Sequence, residues 1–346
     1  MNKVVIASMR KGAGKTSTII GMAGACGKKV AYIKPFGDRM LYRKKRLWDY
    51  DSSLVTSIFG LREDPVDISI GFDHSKLRYM YDQEGTKQKL EEMIASIGKD
   101  REVLFIEGGR DLTYGTSVYL DSISLAQYTG GKLFVVVSGE DDAILDDILF
   151  LKRRVDLAGA RLNGVIINKV QNLQEFQQTH LPAIRRMDIP VTGMIPYQVE
   201  LTYFTVSYLA DRLFAKVLCG EGGLKNIVRN ILIGAWSANV FLQNPIFKKE
   251  NKLVITGGDR TDMILASLES DTAAVILTNN ILPPSNIISK ASERNIPLLT
   301  VFSDTYQTAK QIEGMEPLLT KDDTEKVDLL KELFRKRAKI EEISVA

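Results

Sequence analysis

The sequence contains few of the residues that build disulfide frameworks and metal centres. Cys26 and Cys219 are its two cysteines, and His74 and His180 are its two histidines, among 346 residues. Two thiols cannot form a disulfide framework, and the spacing of these four residues matches no common metal-site pattern. Scarce cysteine is typical of proteins from a reducing compartment, so we expect this chain in the cytoplasm.

The sequence also lacks long apolar runs and a large net charge. No run approaches the roughly 18 apolar residues of a membrane span. The first apolar run is shorter than that of a signal peptide and is not followed by a small-residue cleavage site. The 46 basic and 43 acidic side chains leave a net charge of +3, too little for bulk attraction to nucleic acid or an anionic membrane. We therefore expect neither as a partner.

What the sequence does contain is an ordinary globular composition, with 45% hydrophobic and 26% charged residues. A chain of 346 residues exceeds one typical domain of ~100 to 200 residues, which favours two domains. Short apolar runs first alternate with stretches of helical periodicity, the pattern of βαβ units in an α/β fold. The pattern predicts a doubly wound, mostly parallel sheet with strands at Val4–Ala7, Val30–Lys34, Val103–Glu107, Leu133–Ser138, Gly164–Asn168 and Val191–Ile195.

A second alternating series follows and predicts a smaller α/β domain. We place the boundary near the glycine-rich Cys219–Gly223 and divide the chain into residues 1–215 and 216–346. The second domain has predicted strands at Leu253–Thr256, Ala274–Thr278 and Leu298–Phe302, and predicted helices that begin near Asp259, Pro284 and Asp304. From Thr324 to about Ala338 the apolar residues recur on one helical stripe, and we expect this last helix to pack on the second domain.

The segment between Phe36 and Gln83 shows no clear periodicity, and we predict no regular element there. Irregular segments of this length are usually functional or mobile. The segment includes a basic patch, Arg43–Arg46, flanked by Tyr42 and Trp48. Such a patch could contact nucleic acid, but we favour a solvated loop or a loop that folds over an anionic nucleotide or substrate.

A glycine-rich segment, Ser8–Ser17, directly follows the first predicted strand and opens a helix. In this context the glycines let backbone N–H groups surround phosphates, the lysine supplies a positive charge, and the next threonine offers a hydroxyl to Mg²⁺. Met9 stands where the full phosphate-loop pattern has its first glycine. We predict nucleotide contacts from Arg10, Lys11, Gly12, Ala13, Gly14, Lys15, Thr16 and Ser17.

Polar residues close two other strands of the first domain. Glu107 follows four apolar residues and precedes Gly108 and Gly109. At the carboxyl end of a parallel strand it faces the crevice in which ligands bind, where it could hold Mg²⁺ or a water ligand of the ion. Asn168 ends the fifth strand, where its amide could read the edge of a purine.

The predicted strands of the second domain also end in polar groups, at Thr256–Asp259, Thr278–Asn280 and Ser303–Thr305. In a parallel sheet these three ends meet at one edge. Helix capping explains Asp259 and Asp304, but it does not explain Arg260. We leave open whether the segment Gly257–Asp262 binds a small-molecule effector, forms a domain interface or only begins a helix.

Together, the motifs of the first domain resemble the dethiobiotin synthetase-like branch of P-loop proteins. The resemblance covers roughly the first 210 residues and is carried by ASMRKGAGKTS, Tyr32–Pro35, IEGG, INKV and IPVTGMIPY. It implies ATP and Mg²⁺ as cofactors, with Lys15 and Thr16 as their contacts. It further implies that Lys34 is a second catalytic lysine, which contacts phosphate or substrate, and that Asn168 contacts adenine.

The same resemblance implies a set of metal carboxylates. Glu107 belongs to this set together with Asp49 and Asp51 in the segment WDYDSS. The resemblance does not decide which of the two aspartates faces the ion.

The segment Val254–Asp262, VITGGDRTD, is similar to the signature of the DRTGG domain. A dethiobiotin synthetase-like domain followed by a DRTGG domain resembles the N-terminal half of long phosphate acetyltransferases, where this pairing is regulatory. Acetyl transfer would need a further acyltransferase domain of several hundred residues. The resemblance therefore implies a regulatory module that binds a nucleotide and a small-molecule effector, and we expect a homodimer or larger assembly.

Two alternatives stay open. The first is an ATP-dependent ligase of the dethiobiotin synthetase or cobyrinic acid diamide synthase type. Against it, Arg110 and Asp111 follow Gly109 where synthetases carry small residues, and neither cysteine lies in a glutaminase motif. The second is a partition-type ATPase, because Arg10 stands where that group places its signature lysine.

Overall fold

The computed structural model describes residues 1–43, 46–97, 100–234, 243 and 245–344. The chain forms two compact units, and the second is inserted into the first. Unit 1 contains Met1–Gln198 and Leu319–Ala346, and unit 2 contains Val199–Leu318. Both units are α/β structures, as the alternating patterns predict.

The elements of unit 1 alternate strand and helix over most of its length. Its strands are β1 (Asn2–Ser8), β2 (Val30–Ile33), β3 (Met40–Arg43), β4 (Arg46–Asp49), β5 (Val103–Glu107), β6 (Lys132–Val137), β7 (Leu162–Val170) and β8 (Val191–Pro196). Its helices before unit 2 are α1 (Lys15–Ala25), α2 (Tyr50–Phe59), α3 (His74–Met80), α4 (Gln83–Ser96), α5 (Ser122–Thr129), α6 (Asp141–Arg154), α7 (Leu173–Thr179) and α8 (Leu181–Arg185). After unit 2 the chain adds α13 (Thr324–Arg337) and α14 (Ile340–Ser344).

Six strands of unit 1 form one parallel sheet in the order β2-β5-β1-β6-β7-β8. This confirms the six predicted strands and the doubly wound fold. Val4–Ala7 of β1 are fully buried, since helices cover both faces of such a sheet. Ile6 lies beside Glu107 of β5 and Phe134 of β6. The carboxyl end of β1 is therefore at the point where the strand order reverses, the place at which open α/β sheets bind ligands.

The segment for which the sequence predicted no regular element forms the hairpin β3-β4 and the helices α2 and α3. The hairpin pairs Leu41 with Trp48, and Asp49 and Asp73 cap the two helices by accepting from backbone N–H groups. Its strands have four residues each, too few to show a clear period. Residues 44–45 of the predicted basic patch lie outside the described residues.

Unit 2 contains shorter strands and four helices among its described residues. The strands are β9 (Phe204–Thr205), β10 (Lys216–Cys219), β11 (Ile227–Val228), β12 (Asn230–Ile233), β13 (Lys252–Gly257), β14 (Thr272–Thr278) and β15 (Leu298–Thr300). The helices are α9 (Val206–Arg212), α10 (Thr261–Leu268), α11 (Ser285–Glu293) and α12 (Thr305–Glu313).

The main sheet of unit 2 has the order β10-β15-β14-β13-β12. It confirms the three predicted strands and adds two edge strands, of which β10 is antiparallel to its neighbour. Leu253 and Ile255 belong to the core on one face of the sheet, and Val254 belongs to the core on the other. The predicted boundary between residues 215 and 216 falls inside unit 2.

The last long helix differs from the sequence prediction, because α13 packs on unit 1. Its apolar stripe is buried as expected, with Val327, Leu330 and Phe334 at 5%, 2% and 1% exposure. The surface it covers is α1, where a Cβ at Gly21 would overlap the ring of Phe334 and a Cβ at Gly24 would overlap Lys331. Two glycines one turn apart leave a groove that admits this helix. None of the helices in the described part of the chain is long and apolar enough to cross a bilayer.

Candidate functional site

The glycine-rich segment after β1 forms a tight loop that leads into α1. Gly12 and Gly14 have φ angles of 75° and 95°, left-handed conformations that favour glycine. A Cβ at Gly14 would also overlap the side chain of Asn168. A loop of this kind turns successive N–H groups inward, and together with a helix N-terminus these groups form an anion-binding concavity.

Lys15 begins α1 and is only 9% exposed. Its Nζ donates hydrogen bonds to Ser8 Oγ at 2.9 Å and to the Arg110 carbonyl at 3.0 Å. Burial lowers the pKa of the Lys15 ammonium, although the charge of Glu107 opposes this effect. The ammonium is therefore held by neutral oxygen atoms, and an anionic ligand would compensate its lost hydration better.

Thr16, Glu107 and Tyr32 form a short hydrogen-bonded chain next to the loop. The Thr16 hydroxyl donates to Glu107 Oε1 at 2.8 Å, and the Tyr32 hydroxyl donates to Glu107 Oε2 at 2.8 Å. Glu107 is 1% exposed and Tyr32 is 2% exposed. The structure thus brings together two of the predicted metal ligands, Thr16 and Glu107.

Burial raises the pKa values of two side chains in this hydrogen-bonded group, Glu107 and Tyr32. Burial raises the pKa of Glu107 to about 7, with Asp51 adding to the rise and Lys34 and Lys15 opposing it. Burial and the charge of Glu107 also raise the pKa of Tyr32 well above its ordinary value. At neutral pH Tyr32 therefore stays a hydrogen-bond donor, while Glu107 is close to its titration midpoint.

Lys34 lies at the centre of three carboxylates. Its Nζ is 2.5 Å from Asp38, 3.3 Å from Asp49 and 2.6 Å from Asp51. Lys34 is 1% exposed. Burial alone would lower the pKa of Lys34, but the surrounding carboxylates, Asp51 first, raise it well above its ordinary value. In this structure the predicted second phosphate lysine is thus paired inside the protein.

The two predicted aspartates serve this cluster in different ways. Asp49 caps α2, since its Oδ1 accepts from Ser52 N at 3.1 Å, while its Oδ2 accepts from the backbone N–H groups of Asp38 and Arg39. Asp51 Oδ1 lies 3.3 Å from Arg39 Nη1. Burial alone would raise the pKa of Asp51, but Lys34 and Arg39 hold it below its ordinary value. Asp38, Asp49 and Asp51 lie close enough together to bind one cation, but Lys34 already pairs with all three.

Asn168 contacts the phosphate loop, and its predicted contact with adenine stays a prediction. Its Nδ2 donates to the Ala13 carbonyl at 2.9 Å, and the Lys169 ammonium donates to the Gly12 carbonyl at 2.8 Å. Lys169 adopts a left-handed conformation, with φ of 61°. The end of β7 therefore fixes the shape of the loop.

The remaining predicted contacts lie at the outer side of the loop. Arg10 donates to both carboxylate oxygens of Asp147 on α6, at 2.8 and 3.0 Å. Lys11 is exposed, and Ser17 is half-buried in the first turn of α1. Of these three side chains, Arg10 is bound by hydrogen bonds to another residue of the same chain.

The strand ends of unit 2 meet as predicted. Thr278 Oγ1 lies 3.0 Å from Thr305 Oγ1. Asp304 caps α12 by accepting from Gln307 N at 2.8 Å. Asp259 does not cap α10, because the N-cap residue of that helix is Arg260. Capping is thus confirmed for one aspartate and wrong for the other.

Sequence reasoning missed several residues that complete the site: Ser8, Tyr32, Asp38, Arg39, Arg110 and Lys169. Ser8, Tyr32 and Arg110 belong to segments that the sequence analysis singled out. Their membership of these segments was the signal that the sequence offered. Arg110 is further held by Tyr114, whose ring centre lies 5.2 Å from its guanidinium carbon.

Comparisons with known proteins agree with this two-unit arrangement. The curated relatives include phosphate acetyltransferase of Pseudomonas putida, 26% identical over 95% of this chain and 50% of that protein. They also include cobyrinate a,c-diamide synthase of Listeria monocytogenes, 26% identical over 57% of this chain and 40% of that protein. The chain spans about half the length of the phosphate acetyltransferases that it matches.

One matching solved structure is cobyrinic acid a,c-diamide synthase from Mycobacterium smegmatis with bound ADP and magnesium. It matches 57% of this chain and 87% of its own, at 14% identity and a TM-score of 0.35, a level that supports no functional argument. Family models give a clearer result. Residues 2–204 match the AAA domain and residues 208–315 match the DRTGG domain. The chain therefore belongs to the AAA domain family of P-loop proteins and carries a DRTGG domain after its P-loop domain.

Proposed function

We propose that unit 1 binds ATP with Mg²⁺ and that unit 2 binds a small-molecule effector. The chain would then be a regulatory nucleotide-binding module, related to the N-terminal part of phosphate acetyltransferases. The observation that carries the proposal is the position of Lys15, a buried ammonium with two neutral acceptors beside a loop of left-handed glycines. Phosphate oxygens would replace those acceptors as its partners.

Thr16 and Glu107 fit a Mg²⁺ ion. A hydroxyl and a carboxylate whose oxygens lie 2.8 Å apart are the hard oxygen donors that Mg²⁺ prefers. A bound ion would neutralise charge on the β- and γ-phosphates. Because their oxygens are already engaged with Lys34 and with backbone groups, we assign Asp49 and Asp51 the role of holding Lys34 in place.

The strand ends of unit 2 support the effector site. The Thr256 hydroxyl is buried and has no hydrogen-bond partner among the described residues. Asp259, three residues later in the chain, is exposed and does not cap α10. Arg260 lies 3.2 Å from Asp262 at the start of α10. Gly258 brings the backbone so close to the Ile281 carbonyl that no side chain fits. A small ligand with hydroxyl groups would match this set of donors and acceptors.

The two alternatives receive less support from the contacts. A partition-type ATPase would present its signature residue to a second subunit, but Arg10 is held by two hydrogen bonds to Asp147 of its own chain. A ligase would use Lys34 on phosphate or substrate, but this lysine is 1% exposed and paired with carboxylates. A homodimer and a cytoplasmic location stay predictions.

Titration calorimetry of the full chain with a non-hydrolysable ATP analogue tests the nucleotide site. In the presence of Mg²⁺ we expect Thr16→Val to weaken binding by about tenfold or more, because the hydroxyl that would bind the ion is lost. Without Mg²⁺ the variant and the wild type should bind alike. Thr18→Val is the matched control, because the Thr18 hydroxyl is buried in α1 without a hydrogen-bond partner among the described residues.

A melting screen tests the effector site separately. The protein is heated with nucleotides and with acyl-CoA pathway metabolites, and Arg260→Ala is screened in parallel. A compound that raises the melting temperature of the wild type but not of Arg260→Ala supports the site. Nucleotides that bind unit 1 should shift both proteins equally. If no compound gives a shift that depends on Arg260, the effector site is contradicted.

A further inference from the structure

Helix α6 carries an exposed stripe that the proposed nucleotide site does not use. Asp146, Phe150, Arg153 and Arg154 are exposed at helical spacing, while Ile148 faces the core. Phe150 is 55% exposed and adds an apolar ring to this face of the helix. The stripe therefore combines an apolar centre with charges on both sides.

The stripe forms a shallow groove of about 400 Å³. Its lining consists of Asp146, Asp147, Leu149, Phe150, Arg153 and Arg154. Among the described residues, Asp146, Arg153 and Arg154 form no ion pair. Their charges are therefore available to a partner.

The helix dipole explains only part of the charge pattern of α6. The dipole favours basic residues in the last turn, where Arg153 and Arg154 lie. It does not favour Asp146, which lies beyond the first turn, and it does not explain an exposed phenylalanine. Asp146 is four residues before Phe150, and the arginines are three and four residues after it.

We propose that this stripe is an interface between two copies of the chain, in which two α6 helices pack antiparallel about a twofold axis at Phe150. With a rise of about 1.5 Å per residue, Asp146 and Arg154 lie about 6 Å from Phe150 along the helix axis, on opposite sides, and Arg153 lies about 4.5 Å from it on the side of Arg154. A twofold rotation then brings Asp146 of each copy opposite Arg153 and Arg154 of the other, while the phenylalanines meet at the centre. Such self-complementarity is what an isologous interface requires.

One helix face is a small contact, so we expect a weak, concentration-dependent dimer. Asp147 in the same groove pairs with Arg10 of the phosphate loop, so the interface borders the nucleotide site. The inference stands on the stripe alone and does not depend on nucleotide binding.

A charge swap tests the interface by sedimentation velocity on the full chain without nucleotide. The wild type should show a reversible dimer whose fraction grows with concentration. Asp146→Arg makes the stripe basic, and Arg153→Asp with Arg154→Asp makes it acidic. Each of these two variants should dissociate, with dimerisation weakened by at least about tenfold, because like charges then face each other. An equimolar mixture of the two should form a heterodimer.

Glu91→Arg, the same charge reversal on the exposed face of α4, is the control and should dimerise like the wild type. Unchanged circular dichroism spectra show that each variant is folded. A wild type that stays monomeric up to its solubility limit would overturn the proposal. A dimer that survives both swaps, or a mixture that fails to associate, would overturn it equally.

Discussion

At the scale of single residues, the buried carboxyl group of Glu107 is the group beside the phosphate loop whose protonation state changes near neutral pH. Glu107 is 1% exposed, and both of its oxygens accept hydrogen bonds, from Thr16 and Tyr32. Its pKa is raised to about 7, mainly by burial. Without a metal ion, a large fraction of this carboxyl is protonated at neutral pH. A cation at this place would favour the charged form and release the proton.

The raised pKa of Glu107 predicts a pH-dependent stability in EDTA. An unfolded glutamate loses its proton near pH 4.5, whereas folded Glu107 keeps it up to about pH 7. Its contribution to stability is therefore fully present below pH 4.5 and is lost as the pH rises through 7, by about 3 kcal/mol in all. In urea unfolding, Glu107→Gln should not lose this stability as the pH rises. The free energy of unfolding of the variant should therefore increase relative to that of the wild type between pH 5 and 8.

Glu91→Gln, on an exposed face of α4, is the control and should follow the wild type at every pH. Parallel stability curves for Glu107→Gln and the wild type would contradict the raised pKa.

The sequence predicted the places of residues that belong to a local pattern, and their roles stay predictions. Lys15 and Thr16 follow two glycines, and Glu107 ends a buried strand, so spacing was enough to predict where they lie. The partners of Lys34 were not predictable in this way. Asp38 comes from the loop after β2, and no local spacing shows that it would lie 2.5 Å from Lys34.

At the scale of elements, α13 packs against α1 and covers its glycine-containing face. The ring of Phe334 packs against Gly21, and Lys331 packs against Gly24. Since α1 begins with the phosphate-loop lysine, the helix that positions Lys15 is braced by a segment more than 300 residues later in the chain.

We expect Phe334→Ala to destabilise unit 1 by about 3 to 5 kcal/mol, because a fully buried ring is replaced by a cavity against the glycine groove. Denaturant unfolding with a probe in unit 1 measures the change. Tyr79→Ala is the control in the same unit, since Tyr79 is 93% exposed and its loss should change stability by less than about 0.5 kcal/mol. A similar small change for Phe334→Ala would contradict the observed packing.

Long, uniformly apolar strands were predictable and short or edge elements were not. The six strands of the parallel sheet are buried on both faces and read as continuous apolar runs. The edge strands β10 and β12 have four residues each and are partly exposed, so their pattern is weak. The stripe of α13 predicted a buried helix face but could not specify which surface covers it.

At the scale of the whole molecule, unit 2 is an insertion between β8 and α13. Each unit has its own sheet and its own core. The proposed function places the nucleotide in unit 1 and the effector in unit 2. Because the chain returns to unit 1 after unit 2, we expect α13 to unfold together with the P-loop domain.

Hydrogen exchange with Mg²⁺ and ATP tests this connectivity. If ATP stabilises unit 1, the slowest amides of α13 should slow together with those of β1, because both exchange through unfolding of the same unit. The amides of β14 in unit 2 serve as the internal reference. Exchange in α13 that follows β14, or that stays unchanged while β1 slows, would contradict the assignment of α13 to unit 1.

Binding of ATP by the loop from Arg10 to Thr16 is tested most directly by stability measurements on the full chain with Mg²⁺ and ATP. At ~100 times its dissociation constant, ATP should stabilise the wild type by about 2.7 kcal/mol and raise its melting temperature. Lys15→Ala should abolish the rise, whereas Lys29→Ala, at an exposed position outside the loop, should keep it. No rise in the wild type, or an equal rise in Lys15→Ala, would contradict nucleotide binding at this loop.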